Sequence, residues 1–305
     1  MSNTFITPTV IAKTALAVLY NNAVLAGLVW RDFDSDFTGK QGASVTIKTP
    51  AQLTASDFVR GTGIQTQNVT EGSTTATLDT IADVSVVVTS EDLTLSLESF
   101  QEQIAGPAME AIVQKIDGEL AEALIDAAET SGGGGTATWS SSSPRTVFTG
   151  ETGAVAKLGR NKAPSSERYA VFSPEGEGVM LSDELFLTAD KSGSTDGLRN
   201  ASIGRALGFE SFSSQVLGYG TGDKAAADGV AFHRHAVALV SRTLELPDGV
   251  AAGQAAAEGY KGLGIRVVKD YDITYKQDVV SFDFLYGIET LRKQFAVQLS
   301  VGLGS

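Results

Sequence analysis

Apolar residues, with Thr14 among them, recur at intervals of three and four near the start of the chain: Val10, Ile11, Thr14, Ala15, Val18, Leu19 and Leu25. That interval matches the helical turn and predicts an amphipathic helix over residues 9 to about 28. Pro8 suits its first turn, where a missing N–H costs nothing, and Gly27 suits its end. From 31 to 90 the period shortens. SVTIKT (44–49), TTATLDT (74–80) and SVVVTS (85–90) alternate, and Gly39, Gly42, Pro50, Gly61, Gly63 and Gly72 punctuate them. This predicts strands in long hairpins. Much of the stretch is polar on both sides of the alternation, so it is expected to project from its own domain and lie on something else.

A second helical pattern covers 97–130. Phe100, Ile104, Ala108, Ile112, Ile116, Leu120 and Leu124 fall four residues apart. Four residues advance ~400°, so the stripe drifts ~40° at each step. A helix of this kind meets different neighbours along its length, as a strut does. Gly106 and Pro107 place a break there and start the long helix at about 107. SGGGGTATWSSSS (131–143) reads as a Gly/Ser-rich joint. A mixed α/β stretch follows at 144–245, then a softer piece at 247–259. The tail, 260–305, reads as strands (IRVVKDYDITY, VVSFDFLYG and KQFAVQLSV) that return to pair beside the long helix.

Composition narrows the function classes. The chain has 305 residues, 42% of them hydrophobic, which is ample for a core. Its 36 acids against 23 bases give a net charge of −13. That argues against a general nucleic-acid binder, which needs clustered cations to displace counterions. The absence of cysteine excludes disulfides and thiolate chemistry. MSNTFITPTV lacks the basic start of a signal peptide. Lys13, Asn21 and Asn22 interrupt the apolar run 10–30, which suits a helix packed on protein better than a membrane span.

Few stretches carry candidate chemistry. AFHRHAVALV (231–240) holds the two histidines, His233 and His235. On a strand they share a face, as a metal pair would. No third ligand stands at a suitable spacing, Arg234 between them disfavours a cation, and no nucleophile or orienting acid accompanies them. They are read as a turn at the end of a strand. DFDSDF (32–37) opens like a calcium loop, but Phe37 and Ala43 occupy the places of its Gly and Glu. GYGTGDK (218–224) and GLGIR (262–266) lack the rest of a phosphate loop and are read as turn glycines. Neither GxSxG nor HExxH occurs. Glu110, Asp117, Glu119, Glu122, Asp126 and Glu129 of the long helix, against the single base Lys115, read as a solvated face. No catalytic, metal-binding or cofactor-binding residue is assigned.

The order of elements resembles the major capsid proteins of tailed bacteriophages, the Hong Kong 97-type fold. The likeness is carried by several stretches: TPTVIAKTALAVLYNNAVLAGLVWRDF, DVSVVVTSEDLTLSLESFQEQIAGPAMEAIVQKID, SIGRALGFESFSS (202–214), GVAFHRHAVALVSRTLELP (229–247) and GIRVVKDYDITYKQDVVSFDFLYGIETLRKQFAVQL (264–299), the last with LYG at 285–287. The resemblance implies an α+β chain with five parts. These are an N-terminal arm (1–30), an extended β-hairpin loop with flanking strands (31–90), a peripheral domain with a long spine helix (91–143), an apical α/β domain (144–247) and return strands of the peripheral β-sheet (248–305).

It also implies a structural subunit rather than an enzyme. Copies would assemble as hexamers and pentamers into an icosahedral shell around double-stranded DNA that is enclosed without sequence-specific binding. Scaffolding protein, portal and a decoration protein would be partners; no cofactor and no membrane is implied. The chain would be made in the bacterial cytoplasm and reside in the virion. The hairpin of one subunit would lie across its neighbour. Lys40 and Lys48 fall in the loop, but no partner for a covalent cross-link is identifiable, so a non-covalent shell is expected. The polar face of 107–129 is expected to point toward the lumen. An encapsulin-like compartment would share the fold, and a β-rich surface-layer protein would share the composition but need an export signal.

Overall fold

The computed structural model describes residues 8–31, 42–49, 72–89, 104–139, 143–184, 203–218, 228–247, 254–260, 263–275 and 277–301, with short pieces between 55 and 68. The chain begins with α1 (Pro8–Asn22) and α2 (Leu25–Leu28), followed by β1 (Ser44–Thr49), β2 (Gly72–Thr77), β3 (Thr80–Thr89) and the long α3 (Gly106–Glu129). β4 (Thr136–Trp139), α4 (Ala154–Arg160), β5 (Arg168–Phe172), α5 (Pro174–Leu181), β6 (Arg205–Ala206) and β7 (Phe209–Ser213) come next. β8 (Gly229–His233), β9 (Val237–Arg242), β10 (Ala255–Tyr260), β11 (Leu263–Asp272), β12 (Gln277–Thr290) and β13 (Ala296–Val301) complete the described elements.

These strands form three sheets. β1 and β2 make an antiparallel ribbon. A five-stranded antiparallel sheet runs β10-β11-β12-β3, with β9 on the far end of β12. A six-stranded mixed sheet runs β4-β13-β8-β5-β7-β6. SVTIKT forms the predicted strand. SVVVT (85–89) falls in β3, which is not part of the β1–β2 ribbon: it pairs with β12 from Thr80↔Tyr286 to Thr89↔Gln277.

The long helix begins as its sequence predicts, with Pro107 in its first turn. Ala108, Ile112, Ile116, Leu120 and Leu124 are all buried, while Phe100 lies outside the described residues. A second row, Met109, Val113, Ala121, Ile125 and Ala128, is buried too. The helix therefore packs on α1, α2, β3, β9 and β12 of one sheet system and on β8 and β13 of the other. This is the strut that a drifting stripe requires.

Three expectations are corrected. The first helix does not run unbroken to Leu28; it ends at Asn22 and restarts at Leu25. The amides of Val24 and Ala26 donate instead to the Asp117 carboxylate of α3, at 2.9 and 3.0 Å. Bonds that a continuous helix would make internally are made to a neighbour. The Gly/Ser-rich 131–143 is not a loose joint, since β4 lies within it. A Cβ at Gly134 would stand 2.0 Å from the carbonyl oxygen of Ala296, so glycine lets the segment between α3 and β4 press onto β13. The tail strands do not stay together either: β13 joins the six-stranded sheet, and β9 from the middle of the chain joins the five-stranded one.

Leu120 has no exposed surface and belongs to the main core. Leu120→Ala should lower the unfolding free energy of the chain by about 2–5 kcal/mol in denaturant titration. Gln114→Ala, on the exposed side of the same helix, should stay within about 0.5 kcal/mol.

Candidate functional site

The β1–β2 ribbon is anchored at its base and open beyond it. Ile47, Ala76 and Leu78 are buried with Val240 of β9 and Leu285 of β12, and Trp30, Val45, Leu244 and Leu291 surround them. A Cβ at Gly287 would stand 1.8 Å from the carbonyl oxygen of Thr77, so β12 and β2 meet backbone to backbone there. Two-sided polarity is thus not the whole account, because one face of the base is a small core. In the connection between the two strands, Phe58 is 67% and Ile64 83% exposed. At the end of the five-stranded sheet Tyr271, Ile273 and Tyr275 are exposed as well. These are the large apolar side chains that the fold of the chain leaves in water here.

The two histidines sit at a corner. The turn 233–236 carries the chain from β8 of one sheet to β9 of the other, closed by the Ala236 amide donating to the His233 carbonyl at 2.8 Å. The return crossing from β12 to β13 passes the same point: the amides of Leu291 and Arg292 both donate to the Ala236 carbonyl, at 2.9 and 3.0 Å. His233 is 2% exposed, and its Nδ1 accepts from the His235 amide at 3.1 Å. Its ring stacks on His235 and meets Phe295 edge-on, and His235 meets Trp30 edge-on. Burial chiefly, then the charge of His235, pushes the His233 pKa down to about 4; Arg168 and Arg292 add to this against Glu167. A turn at a strand end is what the sequence predicts here. Its position at a double crossing is visible only in the fold.

The acids of the long helix divide. Glu110, Glu122, Asp126 and Glu129 are exposed. Glu119 accepts from the buried Tyr286 hydroxyl of β12 at 2.7 Å and from Lys115 Nζ at 3.0 Å, tying helix to sheet. Burial, and then that bond to Glu119, raise the Tyr286 pKa. Asp117 is only 2% exposed and is not part of a solvated face. Burial raises its pKa, while the amides of Ala26, Val24 and Leu25 pull it back. One signal of this was present in the sequence: Asp117 stands in the row Val113–Ala121, with apolar residues one turn on either side. A cleft of about 940 Å³ lies beside this part of the helix, walled by residues 213–218 and lined also by Val24, Glu110, Asp117 and Glu122.

The remaining motifs fall elsewhere. DFDSDF lies outside the described residues, as does 219–224. Gly264 of GLGIR is not a turn glycine; it sits inside β11, where a Cβ would stand 2.7 Å from the Thr243 amide nitrogen. Among the described residues no three or more metal-ligating side chains cluster, and no helix is long and apolar enough to cross a membrane.

Because the His233 pKa is lowered from the ordinary 6.5, the unfolded chain takes up this proton more readily than the folded one. The stability it contributes is complete above pH 6.5 and is lost as pH falls toward 4. Denaturant titrations of wild type and His233→Gln between pH 7 and pH 4.5 should show a shallower acid decline in the variant; equal declines would contradict the assignment. Gly287→Ala should cost about 3 kcal/mol, since backbone rather than a flexible side chain must move.

No protein-family model and no curated protein matches the chain. Solved structures do. A structure from Mycobacterium phage Che8 is 22% identical, with a TM-score of 0.64 over 91% of this chain and 90% of that one. The mature capsid of bacteriophage PhiM1 is 15% identical, with a TM-score of 0.63 over 93% and 88%. The capsid of cyanophage P-SCSP1u is 14% identical, with a TM-score of 0.58 over 88% and 86%. Nearly the whole chain, in both directions of comparison, has the fold of phage capsid proteins.

Proposed function

We propose that this chain is the structural subunit of the icosahedral capsid of a tailed bacteriophage, of the Hong Kong 97 type, assembling into hexamers and pentamers around double-stranded DNA. The observation that carries this reading is the end-to-end match to phage capsid structures, at about nine-tenths of both lengths. In this reading α1 and α2 form the N-terminal arm and the ribbon with its connection forms the extended loop. The long helix is the spine, the five-stranded sheet is the peripheral domain, and the six-stranded sheet is the apical domain. Scaffolding, portal and decoration proteins would be its partners, and the virion its location.

Physical features support the assignment. A ribbon anchored at one end, with Phe58 and Ile64 left in water, is suited to cover a neighbouring subunit. Obligate interfaces of this kind bury on the order of 2,000–5,000 Å². The expectation of a lumen-facing acidic surface rests on a smaller set than six carboxylates. With Asp117 buried and Glu119 tied to Tyr286 and Lys115, Glu110, Glu122, Asp126 and Glu129 remain exposed. An acidic lining repels DNA within a Debye length of ~8 Å and leaves it free to move.

Cryo-electron microscopy of the purified chain should show closed shells with pentameric and hexameric capsomers; open sheets or isolated subunits under every assembly condition would contradict the proposal. Replacing 50–71 by a short glycine link, which leaves β1 and β2 paired, should give soluble folded subunits that do not close shells. Shells carrying Glu122→Lys and Glu129→Lys should assemble yet release DNA only at raised salt. Unchanged release would remove the lumen assignment without touching the shell itself.

A further inference from the structure

The sequence from 9 to 28 has the pattern of one continuous helix, and the fold bends it. One carboxylate from another helix meets the chain at the bend. Ala23 still donates to the Leu19 carbonyl at 3.1 Å, as a helical residue does. One residue later the Val24 amide turns to Asp117 Oδ2, and the Ala26 amide turns to Asp117 Oδ1. Both oxygens of one carboxylate are engaged, and the carboxylate comes from a different helix, 2% exposed. Beyond the bend Leu25 and Ala26 are buried in the main core. The chain then reaches Trp30, whose carbonyl accepts from the Leu239 amide of β9 at 2.9 Å and whose amide donates to the Val237 carbonyl at 3.3 Å.

We infer that Asp117 is a conformational latch: its carboxylate holds 22–26 in a bent form that competes with a straight helix, and so sets the direction in which the chain leaves the N-terminal helices toward the hairpin. The two forms use the same amides. In the bent form Val24 and Ala26 donate to the two oxygens of Asp117. In the straight form they donate to the carbonyls four residues back, as the apolar period of 9–28 favours. Burying a carboxylate is costly unless its acceptors are filled, so the bent form persists only while both amides are supplied to it. A straight helix carries Trp30 away from β9, because helix and strand partners cannot both be kept across a changed exit angle. The latch belongs to the subunit alone, so its test is separate from the shell assignment.

The test uses the full chain in its unassembled form. Asp117→Leu keeps the branching of the side chain, puts larger methyl groups where the oxygens stood, and removes the acceptors. Hydrogen exchange at the Leu239 amide, the donor to Trp30, should accelerate at least tenfold relative to the Val171 and Val230 amides in the six-stranded sheet. Val24 and Ala26 should stay protected, and the backbone carbon chemical shifts of residues 23 and 24 should move to helical values, a gain in helix. Unchanged protection at Leu239 would overturn the latch. So would loss of protection at Val24 and Ala26 without a gain in helix, since that is fraying rather than a second conformation. Should Asp117→Leu not fold, Asp117→Asn decides by the same readouts. It retains one acceptor, so a severalfold acceleration at Leu239 supports the latch and wild-type protection overturns it.

Discussion

The described elements are arranged around a helix with apolar residues on more than one side. Two rows of α3 are buried, one beginning at Ala108 and the other at Met109, and no single layer can cover both. Area removed from water is the main favourable term in folding, so the helix must be wrapped. The N-terminal helices and the five-stranded sheet take one part of its surface, and β8 and β13 take another. The two sheets are separate in hydrogen bonding, yet they share this core.

A shared core requires the chain to pass between the sheets, and two of the passages, β8 to β9 and β12 to β13, meet at one corner. The carbonyl of Ala236 accepts from two successive amides of the returning strand, which fixes one crossing against the other. The histidines belong to this corner. The buried imidazole of His233 accepts a backbone amide at Nδ1 and packs its ring on Phe295, so it helps to hold the corner. The same economy appears at Glu119, which links α3 to β12 through Tyr286.

The β1–β2 ribbon is the described part of the chain that buries least of its own apolar surface beyond its base. The ribbon is fixed to the body by a core of a few side chains and by a backbone contact that admits only glycine at 287. Its connecting segment keeps large apolar groups in water. In the proposed assembly such a base would leave only the connecting segment to be ordered on binding.

Local chemistry in the sequence determined the existence and type of most elements. The four-residue recurrence from Ile104 to Leu124 predicts a strut helix, Pro107 its start, and the alternation in SVTIKT a strand. The position of the histidines in a turn follows from the same kind of reading. Partnerships were decided only by the tertiary structure. Nothing local distinguishes β13 from β11 or β12, so the sequence does not say which sheet takes it; the crossing at Ala236 does. An acid counted by its charge looks solvated, yet Asp117 is buried because two amides from residues about ninety positions away fill its oxygens. Periodicity reports which side of an element avoids water, whereas pairing and hydrogen-bond exchange between distant residues depend on geometry that exists only once the chain has folded.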